Sequence, residues 1–170
     1  MTIPTNILLQ RQLRLLRSSV LVVLWTHLVW SKCFSIGATI GPSMLPTINV
    51  SGDWVLISKF HTRGREVRVG DVVSFKHPHD GGDVRVVKRV IGLPGDFVVK
   101  DPSDGSGDML QVPKGHMWVT GDNMPHSVDS RFYGPIPLAM VSGKIIARAR
   151  HLWKWSWMRN PLDEEMMQVD

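Results

Sequence analysis

Two short segments of the chain contain residues whose types and setting suit covalent chemistry. Ser43 lies in residues 41–47, GPSMLPT, where prolines on both sides restrict the backbone and a glycine permits unusual angles. Lys88 lies in residues 85–96, RVVKRVIGLPGD, inside a run rich in valine. A serine hydroxyl is a weak nucleophile until a neighbouring base removes its proton. Together the segments predict a serine nucleophile activated by an uncharged lysine, which is hydrolase chemistry.

The setting of Lys88 in a predicted strand over residues 84–91 explains how its amine could be uncharged. Side chains alternate between the two faces of a strand. In that alternation Lys88 shares its face with Val84, Val86 and Val90. Desolvation disfavours the ammonium form and lowers the pKa of lysine from ~10.4, and reaching neutral pH costs about 4 kcal/mol. Arginine could not serve as the base, because a guanidinium keeps its proton in proteins.

A third segment, residues 121–134 (GDNMPHSVDSRFYG), is dense in turn formers and hydrogen-bonding side chains. The hydroxyl of Ser127 could orient the lysine amine. Asp129 and Arg131 could pair and fix the loop, because a carboxylate and a guanidinium form strong charge-assisted hydrogen bonds. A polar surface turn without a chemical role is the alternative for this segment taken alone.

An uncharged apolar stretch precedes all three segments. Residues 18–30 (SSVLVVLWTHLVW) carry no charge, and beyond Lys32 the chain is again mostly apolar. We predict a basic arm over residues 1–17 and one membrane-spanning helix over residues 18–38, with Lys32 reaching the interface. A cleaved signal segment or a buried core helix is the alternative. Three arginines should stay on the side from which the chain inserts: Arg11, Arg14 and Arg17.

The rest of the chain has the pattern of short strands separated by turns. The 15 glycines and 11 prolines are scattered, and hydrophobic residues make up 43% of the sequence, which is enough for a packed core. We predict a mostly β fold, a complex sheet or barrel, for a serine–lysine domain over residues 39–150. The predicted strands cover residues 54–58, 70–75, 84–91, 97–99, 117–119 and 141–149.

Residues 151–170 form a tail that is rich in tryptophan and ends in acidic residues. In a strand, Trp153, Trp155 and Trp157 would share one face. Core packing is the simpler expectation for these indoles, and a second contact with the membrane surface is the alternative.

The three segments, in this order behind one apolar stretch, resemble the motifs of the type I signal peptidases. The resemblance covers about residues 37–148, and the short, single-anchor form with the GPSM wording is most similar to the mitochondrial inner membrane members. It implies a signal-peptidase-like β domain with Ser43 as the nucleophile and Lys88 as the general base. It also implies that Ser127 orients the lysine and that Asp129 and Arg131 support the site structurally. No cofactor and no metal ion are implied.

The resemblance also assigns an oxyanion donor, the backbone N–H of Ser43. Some bacterial relatives add a serine side chain two positions earlier, where this chain has Gly41. Loss of one such donor can cost about 3 kcal/mol of transition-state stabilisation. Another group or a water is therefore expected to take its place.

The function that the resemblance implies is the removal of presequences from proteins sorted to the mitochondrial intermembrane space. The expected partners are these precursors, the lipid bilayer and a second, related peptidase subunit. The expected location is the inner membrane, with a single span and the catalytic domain facing the intermembrane space. The alternative is a non-catalytic, membrane-anchored assembly or partner subunit of such a complex.

Other functional classes fit the sequence less well. The net charge is +5, but the basic residues are dispersed and only one tyrosine is present for base stacking, so we expect no nucleic-acid partner. His126 invites a Ser-His-Asp interpretation, which only geometry can decide. Residues 77–79 (HPH) lack a further metal-ligand pattern, and Cys33 is the only cysteine. A self-cleaving repressor would need a DNA-binding domain, for which residues 1–40 are too short and too apolar.

Overall fold

The computed structural model describes residues 5–79, 84–103, 105–150 and 154–163, with the side chains of residues 5–9 and Ser51 left aside. The chain divides into two compact units, Met1–Phe34 and Ser35–Asp170. The first contains a long helix, and the second contains the three segments that the sequence singles out.

The helix of the first unit, α1, runs from Thr5 to Cys33. Within it, Gln10–Cys33 has 24 residues and a mean hydropathy of 1.3. Among the described residues, it is the one helix long and apolar enough to cross a membrane, which needs about 20 such residues. α1 begins inside the predicted basic arm and ends before the predicted boundary at residue 38. The reason is that Phe34–Ile40 forms a strand with alternating exposure, in which Ile36 and Thr39 are β-branched.

The second unit is built from short strands. The strands are β1 (Phe34–Ile40), β2 (Ser51–Ser58), β3 (Val72–Lys76), β4 (Arg85–Gly92), β5 (Phe97–Val99), β6 (Met109–Gln111), β7 (His116–Thr120), β8 (Ile136–Pro137), β9 (Val141–Ala149) and β10 (Trp155–Trp157). A short helix, α2, covers Ser130–Tyr133. Short 3-10 helices cover Pro42–Met44, Lys59–Gly64, Met124–His126 and Leu138–Met140.

Eight of these strands form one curled, half-barrel sheet in the order β1-β2-β9-β3-β4-β7-β8, with β10 also pairing with β9. β5 and β6 pair separately as a small hairpin. Inside the large sheet, β4 is antiparallel to β3 on one side and to β7 on the other. Val73 of β3 lies opposite Lys88, and Thr120 of β7 lies opposite Arg89. The strand that carries the predicted base is therefore held by hydrogen-bonded neighbours on both sides.

Two buried clusters fix the site segments. The cluster beside β4 contains Val73, Phe75, Val90, Met117 and Val119, with Val86 packed against it. A second cluster joins the segment around Ser43 to the sheet through Met44, Ile48, Val55, Val72 and Ile145. Apolar burial thus anchors the loop of the predicted nucleophile at two of its own residues.

The prediction of a mostly β fold is confirmed, although some strand limits differ. β4 begins at Arg85, so Val84 lies outside the strand and is 49% exposed instead of facing the lysine. Val86 and Val90 do pack beside the core as expected. The strands β6 and β8 were also not predicted. They have three and two residues and, unlike β5, which also has three, they lack a pair of adjacent valines.

The tail differs from the simpler expectation of core packing. Trp155 and Trp157 lie in β10, but they are 41% and 73% exposed. Both therefore lie at the surface of the domain, on a strand that pairs with the C-terminal end of β9. Trp153 and residues 164–170 lie outside the described residues.

Candidate active site

The segment around Ser43 is a tight turn held at both ends. Pro42–Met44 is a single 3-10 turn, preceded by Gly41 in a left-handed conformation (φ 120°) that favours glycine. The N–H of Gly41 donates to the carbonyl of Val50 at 2.7 Å. The side chain of Met44 is buried, while Ser43 is only half-buried. The turn therefore fixes the backbone of Ser43 and leaves its hydroxyl at an accessible surface.

Lys88 lies near the middle of β4 and is only 4% exposed. Burial is the main cause that lowers its pKa below the ordinary lysine value, as the sequence analysis expected. The negative charge of Asp129 opposes this by raising the pKa, while Arg131 lowers it. The environment of Lys88 thus makes the neutral amine, the form that can accept a proton, easier to reach than it is for a lysine in water.

Asp129 organises the third segment. It caps the N-terminus of α2, and its carboxylate is fully buried. It accepts hydrogen bonds from the hydroxyl of Ser127 (2.6 Å), the N–H of Gly121 (2.9 Å) and Nε of Arg131 (2.9 Å). Burial by itself would raise the pKa of Asp129, but the hydrogen bonds from Arg131, Ser127 and Gly121 outweigh it and lower the pKa. Asp129 is therefore a charged carboxylate, and the predicted pairing of Asp129 with Arg131 is present.

The hydroxyl of Ser127 is buried and already donates its proton to Asp129. A hydroxyl has one donor hydrogen and two acceptor lone pairs. The oxygen of Ser127 can therefore only accept a further hydrogen bond, which is what an amine N–H would offer it.

The first and third segments touch at Gly121. A Cβ at this position would lie 2.3 Å from Oγ of Ser127 and 2.4 Å from the carbonyl oxygen of Ser43, so only a hydrogen fits there. Asn123 continues the contact, since its N–H donates to the carbonyl of Ser43 at 3.0 Å and its Nδ2 to that of Pro42 at 3.1 Å. The fold thus brings the segment of Ser43 directly against the segment of Ser127.

An ion pair that the sequence analysis missed connects all three segments. Nε and Nη2 of Arg89 donate to the two carboxylate oxygens of Asp122 at 2.7 and 2.8 Å. Thr47 donates to the same carboxylate, and Nη2 of Arg89 donates to the hydroxyl of Thr47 at 3.2 Å. Thr47, Arg89 and Asp122 each lie in a different segment. The opposite charges of Arg89 and Asp122 were the only sign in the sequence that these two residues pair. Their pairing could not be read from the sequence, because many other partners were possible.

One cavity is lined by both Ser43 and Lys88. It has a volume of about 200 Å³, and its walls include Ile36, Ile48, Val55, Ile57, Val86 and Val87. Ser127, Asp129 and Arg131 are not part of its described walls. Within the described residues, no hydrogen bond joins the hydroxyl of Ser43 to the amine of Lys88. Such bonds are often long in an unliganded site and tighten when substrate is bound.

The N–H of Ser43, which the resemblance assigns as the oxyanion donor, lies in the first turn of the 3-10 helix, where backbone N–H groups have no partner within the helix. At Gly41, the left-handed φ would strain any other residue, although the space around it is open. A side-chain donor at this position would therefore need a different backbone conformation.

The structure does not support His126 as part of a Ser-His-Asp site with Ser43 or residues 77–79 as metal ligands. His126 is exposed and does not line the cavity of Ser43. The rings of His77 and His79 lie 6.1 Å apart, next to Tyr133. Among the described residues, no group of three or more His, Cys, Asp or Glu side chains could hold a metal ion.

Comparison with known proteins gives one consistent family. The chain matches the family model described as signal peptidase, peptidase S26, over residues 12–104 and 99–150. It is 42% identical over 145 residues to the mitochondrial inner membrane protease subunit 1 of Schizosaccharomyces pombe. The matched region covers 84% of this chain and 89% of that protein. The same-named protein of Saccharomyces cerevisiae is 35% identical over 158 residues, covering 79% and 83%. Subunit 2 of Danio rerio is 38% identical over 125 residues, covering 72% and 64%.

The ion pair between Arg89 and Asp122 yields a prediction about stability. Their side chains are 18% and 13% exposed, so Asp122→Asn leaves a largely buried guanidinium with a weaker partner. We expect the free energy of unfolding to fall by about 2 kcal/mol, measured by thermal or denaturant unfolding. The control is Asp163→Asn, which removes an ion pair with Arg68 at 3.4 Å whose arginine is 71% exposed. Such a pair contributes about 0–1 kcal/mol. Equal losses in both variants would contradict the structural role assigned to Asp122.

Proposed function

Because the chain belongs to the signal peptidase family, peptidase S26, we propose that it is a serine endopeptidase that uses Ser43 and Lys88 as a catalytic dyad. We further propose that its substrates are precursors whose presequences direct them to the mitochondrial intermembrane space. The observation that carries the proposal is that Ser43 and the buried Lys88 line the same cavity. A buried lysine amine is costly in a fold, and a nearby hydroxyl gives it a chemical use.

In the proposed mechanism, the neutral amine of Lys88 accepts the proton of Ser43 while Oγ attacks the carbonyl carbon of the scissile peptide bond. The carbonyl oxygen becomes an oxyanion, to which the N–H of Ser43 donates. Lys88 then gives its proton to the leaving amine nitrogen, and the acyl-enzyme ester remains on Ser43. A water that loses its proton to Lys88 attacks the ester and releases the new carboxylate and the serine hydroxyl.

The buried residues behind the cavity position Lys88 in this proposal. Ser127 directs its proton to Asp129, so its lone pairs are available to accept from the lysine amine. Arg131 neutralises Asp129 and holds it in place. Without Arg131, the effect of the Asp129 carboxylate, which raises the pKa of Lys88, would be less opposed, and the inactive ammonium would be more stable.

The proposed location and partners extend the names of the relatives to this chain. The relatives are called subunits of a mitochondrial inner membrane protease, including a subunit 1 and a subunit 2. We propose that α1 anchors the chain in that membrane and that a second, related subunit accompanies it. An anchored site meets membrane-bound precursors at a higher effective concentration than a free enzyme would.

The dyad is tested by substituting each of its members. Ser43→Ala removes the nucleophile and Lys88→Arg replaces the base by a group that stays protonated. We expect each to reduce cleavage of a presequence peptide by at least about 10³-fold. Ser43→Ala should change the melting temperature little, whereas Lys88→Arg buries a permanent charge and should lower it without unfolding the chain. The matched control is Lys114→Arg, on an exposed lysine, which should retain full activity. Full activity in Lys88→Arg would refute the neutral-base mechanism, and an inactive wild-type chain would favour the non-catalytic partner subunit.

The lowered pKa of Lys88 fixes the direction of the pH dependence. Below that pKa the amine is protonated, so kcat/KM should fall about tenfold per pH unit as the pH decreases. The unfolded chain also binds a proton that the native chain lacks between the two pKa values, so stability rises with pH across that window. Lys88→Met should abolish this rise in stability, whereas Lys114→Met should keep it. Activity that increases on acidification would contradict the assignment of the base.

The topology is tested in mitoplasts, whose outer membrane has been removed. Residues from Gly37 onward should be accessible to added protease, while a tag placed before Arg11 should stay protected until the inner membrane is dissolved. The physical reason is that arginines flanking a span remain on the side of insertion. Protection of the β domain together with cleavage of the tag would reverse the proposed orientation.

A further inference from the structure

The small hairpin of β5 and β6 reaches back toward the site. Its inner face packs Val98 and Leu110 against Val112 and Trp118. Beyond β5 the chain turns so that Oδ1 of Asp101 lies 3.7 Å from Nη1 of Arg131. The hairpin therefore places a carboxylate next to the guanidinium that supports Asp129.

The guanidinium of Arg131 is almost fully enclosed by acceptors. Nε and Nη2 donate to Asp129 at 2.9 and 3.2 Å. Nη2 also donates to the backbone carbonyl of Met124 at 2.6 Å and to that of Ser127 at 3.3 Å. In the described part of the chain, the acceptor that faces the remaining nitrogen, Nη1, is Asp101. Asp101 thus faces the one guanidinium nitrogen of Arg131 that the other acceptors named here do not hold.

Asp101 is itself held in place before it meets Arg131. Its Oδ1 accepts from the N–H of Ser103 at 2.9 Å and from the hydroxyl of Ser103 at 2.6 Å. The hydrogen bonds from Ser103 lower the pKa of Asp101, so the carboxylate is charged at neutral pH. The side chain of Arg131 is 6% exposed and that of Asp101 is 31% exposed. A preoriented charge at the rim therefore faces a buried guanidinium.

We propose that Asp101 is a positioning residue for the peptidase reaction, acting through Arg131 on Asp129 and Ser127. This inference rests on the proposed function. An arginine fork is planar, so fixing its third nitrogen restricts its tilt and the direction from which it holds Asp129. Because Asp129 in turn receives the proton of Ser127, the orientation is passed to the hydroxyl proposed to bind the amine of Lys88.

A positioning role and a merely structural role predict different measurements. An ion pair with one partner at the rim adds little to stability, whereas a small displacement near reacting groups can cost a large factor in rate. We therefore expect Asp101→Asn, in the full chain in detergent micelles, to lower kcat about tenfold on a presequence peptide. KM should stay within about twofold and the melting temperature within about 2 °C.

The matched control is Asp108→Asn, which makes the same charge change at an exposed position of the same hairpin. It should leave kcat within about twofold of wild type. Asp101→Glu keeps the carboxylate and should recover at least about half of the lost activity. Equal kcat in Asp101→Asn and wild type, or equal losses in Asp101→Asn and Asp108→Asn, would overturn the inference.

The dependence on Arg131 is tested with Arg131→Lys, which removes the fork. If Asp101 acts through the fork, Asp101→Asn should cost almost nothing more in that background. A full additional loss would overturn the inference. A wild-type chain that leaves the peptide uncut would refute the proposed function itself, which is a distinct outcome.

Discussion

The structure of the site depends on keeping one lysine amine away from water. A lysine at the surface carries its proton at neutral pH and cannot act as a base. Lys88 is 4% exposed because it lies on a strand with hydrogen-bonded neighbours on both sides and beside an apolar cluster. A strand inside a sheet has little freedom to move its side chain toward solvent. Burial on such a strand therefore provides both the lowered pKa and a fixed position.

Desolvation alone would not be sufficient, because carboxylates lie near the amine. Asp129 and Asp122 both act to raise the pKa of Lys88. Each of them is paired with its own arginine, Asp129 with Arg131 and Asp122 with Arg89. The pairs link the segments mechanically and reduce the net negative charge that the amine experiences. The same contacts therefore hold the loops together and protect the effect of burial.

The sequence allowed the main elements to be predicted but not their contacts. Alternation within β4 identified the buried face of Lys88, and the spacing of turn residues indicated a β fold. The end of the helix was predicted at residue 38 but lies at Cys33, because an apolar strand directly follows an apolar helix and composition cannot separate the two. The pairing of Asp122 with Arg89 and that of Asp101 with Arg131 were missed because the sequence does not show which partner the fold brings next to a carboxylate. Such partners are distant in sequence and become evident only from coordinates.

The closeness of the segments at Gly121 explains why so many contacts are needed around a small site. At this point the carbonyl oxygen of Ser43 and the hydroxyl of Ser127 both lie against Gly121, so closely that a Cβ would not fit. An error of about 1 Å in the relative position of reacting groups can lower a rate about 100-fold. The segment of Ser43 and the segment of Ser127 meet at this glycine and could shift relative to one another unless other contacts fixed them. Asn123 and the Asp122–Arg89 pair provide that fixation on one side, and Asp129 provides it on the other.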